Sequence, residues 1–198
     1  MKLRHALAFA TLPVIVVLAI LQGGALLTRS YMDEASLQAS SALRLAVAAL
    51  AGHLSRYEPL PALIADHDDI KALLQAPDNP ALRKVANKYL KDINGLLETS
   101  DIYVMTPDGN TIAASNADAP GTFVGQNFHY RPYFQDAIAG RQARFYALGT
   151  TSLKRGYYFS SPVVVARKIL GVIVFKVDID SIETSWRGGE YKIFVADP

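Results

Sequence analysis

Two cations set among hydroxyls and tyrosines are the residues of this chain best suited to chemistry. Arg131 heads the run Arg131-Pro132-Tyr133-Phe134, and Lys176 sits in Val174-Phe175-Lys176-Val177-Asp178. Between them come Gly149-Thr150-Thr151-Ser152 and Gly156-Tyr157-Tyr158. A guanidinium grips a carboxylate through two parallel hydrogen bonds, and aromatic walls exclude competing water. Three successive hydroxyls ahead of the turn at Lys154-Arg155-Gly156, with backbone N–H groups freed by that turn, make an anion cradle. Alone, such a cluster does no more than cap a turn, and its value lies in recurring between two cations. The set suits capture of a small molecule with two anionic ends. It unites no nucleophile, base and oxyanion donor, so it points to binding and away from catalysis.

Each of these residues also has a plainer reading. In Gly171–Ile179, Val172, Val174 and Lys176 alternate with Ile173, Phe175 and Val177, so both faces of the strand are apolar and both are expected to be buried. A buried ammonium is costly unless an anion meets it. A ligand carboxylate would serve, and so would Asp178, two residues on. Arg131 lies among Phe128, Tyr130, Tyr133 and Phe134, where it either faces a ligand or stacks on Tyr130 in solvent. Tyr157 and Tyr158 point to opposite faces of their strand, so at most one lines the same cavity. His129 reads as a loop residue, and His5, His53 and His67 show no metal-ligand spacing.

The elements that must position these residues follow from periodicity. Tyr31 to Tyr57 reads as one long helix, with Ser40, Leu43, Val47, Leu50, Leu54 and Tyr57 at spacings of 3, 4, 3, 4 and 3. That seam would pack on the helix's own domain or on a second copy. Pro59-Leu60-Pro61 ends the helix, and short helical pieces follow to Pro77. Asn79 is an expected N-cap with Pro80 at the first helical position. Leu82, Val85, Tyr89, Ile93 and Leu96 are the expected inner face of that helix, and Arg83, Lys84, Lys88 and Lys91 a solvated outer one. At Asp101 the period becomes extended. Ile102–Met105 and Thr111–Ala114 flank Pro107-Asp108-Gly109-Asn110 as a hairpin. A short helix near 132–139, closed by Gly140, precedes strands near 143–148, 156–165 and 170–179. The order predicts an α+β domain on one antiparallel sheet.

Ahead of all this, Ala6 to Leu27 is almost wholly apolar and would span roughly 30 Å as a helix, enough to cross a bilayer core. Lys2 and Arg4 precede it, which places the N-terminus in the cytoplasm and the remainder outside. A cleaved signal peptide is the alternative, but the run exceeds the usual ~7–15-residue apolar core of such peptides. Lys2, Arg4 and Arg29 account for three of the 20 basic residues; the remaining 17 face 18 acidic residues, about −1 in all. No basic run of the kind that binds nucleic acid occurs. The absence of cysteine excludes a disulfide framework and a thiolate site.

At these residues the sequence resembles the periplasmic sensor of bacterial C4-dicarboxylate sensor histidine kinases, the DctB type. The shared pattern is Arg131-Pro132-Tyr133-Phe134, Arg144-Phe145-Tyr146-Ala147-Leu148-Gly149-Thr150-Thr151-Ser152, Gly156-Tyr157-Tyr158, Ser161-Pro162-Val163 and Lys176-Val177-Asp178. The resemblance implies a double-PAS (Cache-type) sensor with a central antiparallel sheet of about five strands. Its implied layout is a cytoplasmic start at 1–5, a transmembrane helix at 6–28, a long periplasmic helix at 29–58 and a membrane-distal ligand-binding domain at 59–183. Residues 184–198, with Trp186 and Tyr191–Asp197, would open a second, membrane-proximal module. By position, Arg131 would hold one carboxylate of succinate, fumarate or malate. Thr150, Ser152 and Lys176 would hold the other, with Thr151 and Tyr158 nearby. The resemblance implies no cofactor or metal, a possible homodimer through the long helix, and a place in the bacterial inner membrane with the bulk in the periplasm. No phosphoacceptor histidine motif or ATP-binding glycine-rich box accompanies it, so the expected product is the receptor half of a kinase and not an enzyme. Another small acid or an amino acid as ligand, or a ligand-free anchored dimerisation module, are the competing expectations.

Overall fold

Alternating side chains from Asp101 onward become five strands of one antiparallel sheet. β1 (Asp101–Met105) and β2 (Thr111–Ala114) form the expected hairpin, and β3 (Ala143–Leu148), β4 (Arg155–Val165) and β5 (Lys168–Asp178) follow as a meander. The strand order β2-β1-β5-β4-β3 puts β5 in the centre. Hairpin turning requires a left-handed residue, supplied by Gly109 at φ +85°; a Cβ there would come within 2.7 Å of the His129 backbone. The computed structural model describes residues 2–97, 99–184 and 195, without the side chains of residues 2–21, 25–27 and 181.

The central place of β5 explains why both of its faces are apolar. On one side, α2 (Leu60–Ala65), α3 (Asp68–Gln75) and α4 (Pro80–Leu97) cover Ile102, Ile173, Phe175 and Val177. On the other, α5 (Pro132–Ile138) and the chain leading to it bury Tyr103, Phe123, Phe128, Tyr133 and Val174. Lys176 falls on this second face. Register sets Asp101 and Tyr158 directly beside it, one on each neighbouring strand.

The helices agree with the sequence in place and differ in detail. Asn79 Oδ1 accepts from the backbone N–H of Ala81 and Leu82 at 3.0 and 3.3 Å, the expected cap ahead of Pro80. The buried stripe of α4 is not the expected one. Ala86 and Leu90 are fully buried, while Val85 and Leu96 are exposed. Two stripes share Leu82, Tyr89 and Ile93, and the sheet selects the one in which small Ala86 allows close approach.

The N-terminal helix α1 runs unbroken over Lys2–Ser55. The chain divides into two units, residues 1–48 and 49–198. In the second, Leu50 packs against the core and Leu54 and Tyr57 enter it, which satisfies the own-domain reading for the lower half of the seam. Leu43 and Val47 are exposed. Among the described residues no helix is long and apolar enough to cross a membrane. The expected span 6–28 has helical backbone, but most of its side chains lie outside the described residues, as do Trp186 and, Val195 excepted, the segment 191–197. A final short helix, α6 (Ile179–Thr184), leaves the end of β5.

Candidate functional site

Arg131 owes its position to Pro132. Proline at the first turn of α5 fixes the helix start, and Arg131 precedes it in extended conformation (φ −75°, ψ 133°). From there Nη2 donates to Leu148 O at 3.0 Å and to Thr150 Oγ1 at 3.3 Å. The guanidinium lies 5.3 Å from the centroid of the Tyr130 ring, so it stacks and also reaches across. Tyr130 Oη lies 3.1 Å from the same Thr150 hydroxyl. The helix entrance and the loop between β3 and β4 therefore meet over a cleft.

That loop is tight. Gly149 N–H donates to Lys154 O and Leu153 N–H returns to Gly149 O, both at 2.9 Å, with Leu153 forced to φ 53°. Gly149 is closely faced: a Cβ there would displace Ser152 Oγ and come within 3.0 Å of Tyr158 Oη. The turn thus presents Thr150, Thr151 and Ser152 towards Tyr158. Arg131, the three hydroxyl residues and Tyr158 all line one cavity of about 10 Å³, roughly the least space that admits a single water.

The wall beneath is aromatic. Tyr158 stacks on Tyr133 at 4.9 Å, and Tyr133 Oη meets Tyr103 Oη at 2.8 Å. Phe123 and Phe128 close the end of the cavity around Tyr103. Burial pushes the Tyr158 hydroxyl up to about 12 and the hydroxyls of Tyr103 and Tyr133 higher still. All three stay protonated at neutral pH; Tyr158 and whichever of Tyr103 and Tyr133 accepts in their mutual bond keep a proton to donate to an anion.

Lys176 is the sixth expected site residue and is placed differently. Its side chain is 1% exposed and lies beside Tyr158 on the same sheet face, but it is not part of the cavity wall. Gly156 makes the room, since a Cβ there would stand 3.0 Å from Lys176 Cε. Nζ donates to Ser100 Oγ at 3.3 Å. Burial lowers its pKa, opposed by the charges of Asp101 and Asp178. Burial raises that of Asp101, opposed first by Lys176. Asp178, the internal partner considered from sequence, forms an ion pair with Lys154 at 3.6 Å. Ser100, Asp101, Tyr103 and Phe123 escaped the sequence reading. All but Phe123 belong to the site because β1 pairs with β5, and no local pattern announces that pairing.

No family model matches the chain. A curated relative from Pseudomonas aeruginosa, the C4-dicarboxylate transport sensor protein DctB, is 43% identical over 169 residues, 85% of this chain and 28% of the relative. The protein of that name from Rhizobium meliloti is 33% identical over 98% of this chain and 31% of its own length. Among solved structures, the sensor domain of the V. cholerae histidine kinase DctB superposes with a TM-score of 0.74 at 38% identity, covering 76% of this chain and 58% of that one. The chain is a DctB-type sensor domain. It spans about a third or less of the curated relatives it matches, and the region it shares with the solved structure is the sensor. The E. coli DcuS sensor domain, 16% identical with a TM-score of 0.54 over 69% of this chain, shares the DctB-type fold and at that identity shows the fold alone.

Proposed function

We propose that this DctB-type domain binds a C4-dicarboxylate such as succinate, fumarate or malate on the periplasmic side of the bacterial inner membrane. The observation that carries the reading is the convergence of Arg131 with Thr150, Thr151 and Ser152 on one tyrosine-floored cleft. Arg131 takes one carboxylate through its planar fork. The loop hydroxyls take the other, with Lys176 supplying longer-range charge from beside Tyr158. A buried ammonium acts through a lower effective dielectric than water, so its field carries further than that of a solvated lysine. The apolar run 6–28 anchors the chain, the exposed Leu43 and Val47 offer the long helix a second copy, and the whole receptor signals without catalysing a reaction itself.

Arg131 and Tyr130 both bond to the Thr150 hydroxyl across the cleft as it stands, at 3.3 and 3.1 Å. Ligand therefore has to part Arg131 and Tyr130 from Thr150, which makes binding a conformational event. Isothermal titration of succinate into the full chain in detergent, with glutamate for comparison, tests the reading. Saturable succinate binding at micromolar to low-millimolar strength is expected. A folded sample that gives no heat with succinate, fumarate or malate would overturn it.

A further inference from the structure

The loop that carries the three hydroxyls ends at Lys154, and β4 starts at the next residue, Arg155. Neither residue lines the cavity. Both are bound instead to the chain just beyond Lys176. Arg155 Nε donates to Asp180 Oδ1 at 2.9 Å, Nη1 to Glu183 Oε1 at 2.9 Å and Nη2 to Glu183 Oε2 at 2.6 Å. Nη2 also bonds to Asp180 Oδ1. Glu183 is 4% exposed, although it sits on a helix of only six residues.

The same two side chains hold a third segment. Arg155 Nη1 donates to Val195 O at 3.2 Å, and Glu183 Oε1 accepts from Val195 N–H at 2.9 Å. One residue earlier, Lys154 pairs with Asp178, whose Oδ1 accepts from Asp180 N–H at 3.0 Å and starts α6. Only arginine offers a planar fork that can serve two carboxylates and a carbonyl together. The two residues closing the hydroxyl loop are thus stitched to the path by which the chain leaves the sheet.

Opening the cleft works on this loop. Its internal hydrogen bonds from Gly149 to Lys154 and back from Leu153 tie it into one closed turn. We propose that Arg155 is the positioning residue of the 149–154 loop, and that its pairing with Asp180 and Glu183 carries the loop's displacement into α6 and the chain beyond. The choice of succinate to open the loop rests on the reading given above; the positioning role does not.

The test uses the full 198-residue chain in detergent. Hydrogen exchange without ligand is compared among wild type, Arg155→Lys and Glu183→Gln. Amides of residues 149–154 are expected to exchange about tenfold faster or more in both variants, with α3 unchanged. Loop exchange equal to wild type overturns the positioning role, and so does acceleration spread evenly through α3 in both variants. The single tryptophan, Trp186, follows α6 by two residues and reports on the exit. Succinate should change its emission in wild type, and in Arg155→Lys that change should shrink about fivefold at saturation while calorimetric binding persists. An undiminished emission change in Arg155→Lys overturns the coupling. A folded wild type that binds no succinate ends the dicarboxylate reading, and the exchange comparison then decides the positioning role by itself.

Discussion

Two regions of this domain set cations beside a cavity, and they differ in a way that separates the proposed site from a solvated surface. The groove along α4 is the larger, about 410 Å³, and is lined by Arg83, Lys84, Lys88 and Lys91. The cleft beneath Arg131 is about 10 Å³ and has a single cation in its wall. By volume and charge the groove would be chosen. Yet the side chain of Lys88 is 77% exposed and paired with Asp92, and that of Lys91 is 63% exposed and paired with Asp118. Charges so placed are screened within about 10 Å and gain ~0–1 kcal/mol from such pairs. At the cleft, Arg131 is half-buried against Tyr130, and Lys176, beside Tyr158 in the sheet, is buried with its pKa lowered. The cleft ranks first as the proposed site because its cations are the less solvated.

The comparison is broken or sharpened most strongly at Arg131. Arg131→Ala is expected to weaken succinate binding about 100-fold or more, because truncating one partner of a desolvated charge pair costs about 2–5 kcal/mol. Calorimetry with unchanged circular dichroism checks this, and wild-type affinity would sink the assignment. Lys176→Met comes next. Binding should fall about tenfold to 30-fold while cooperative urea unfolding persists, since the ammonium acts at longer range than Arg131. Full affinity in this variant would mean that Lys176 serves only the sheet.

Smaller effects follow with pH and at the groove. Burial lowers the Lys176 pKa in the folded protein, and a dianion favours its charged form. Affinity should therefore be complete where succinate is still a dianion and Lys176 is still protonated. It should then fall by up to about tenfold per unit once pH rises through the lowered folded value. Stability has the opposite sign: the unfolded chain keeps its proton up to the ordinary 10.5, so the folded state gains as pH rises between the lowered value and 10.5. Titrations in buffers of differing ionisation enthalpy would reveal the proton taken up with succinate. Least of all, Lys84→Ala and Lys88→Ala should change succinate affinity by less than about twofold and stability by ~0.5 kcal/mol or less. A larger loss of binding would reverse the ranking of the two regions.

Local chemistry made much of the domain readable. Pro132 fixes a helix start wherever it occurs, Asn79 caps α4 by its own side chain, and Gly109 permits the hairpin turn without reference to the rest of the fold. Strands β3, β4 and β5 fall within two residues of their expected bounds, because alternation is a property of neighbouring residues. The stripe on α4 shows where this stops: Leu82, Tyr89 and Ile93 fit two faces, and only contact with the sheet chose Ala86 and Leu90.

The sequence by itself determined the residue types of the cleft, the short span that holds Arg131 before its helix, and the hydroxyl loop between two strands. It also showed that Lys176 would be buried, since a strand apolar on both faces has no solvated side. Tertiary structure alone decided that β1 lies against β5, which brings Ser100 and Asp101 to the ammonium and Tyr103 to the cavity. It alone tied Arg155 to Asp180 and Glu183, 25 and 28 residues away. Pairing of distant strands and ion pairs across them depends on which surfaces bury the most apolar area together. That is a property of the whole chain, and no window of neighbouring residues contains it.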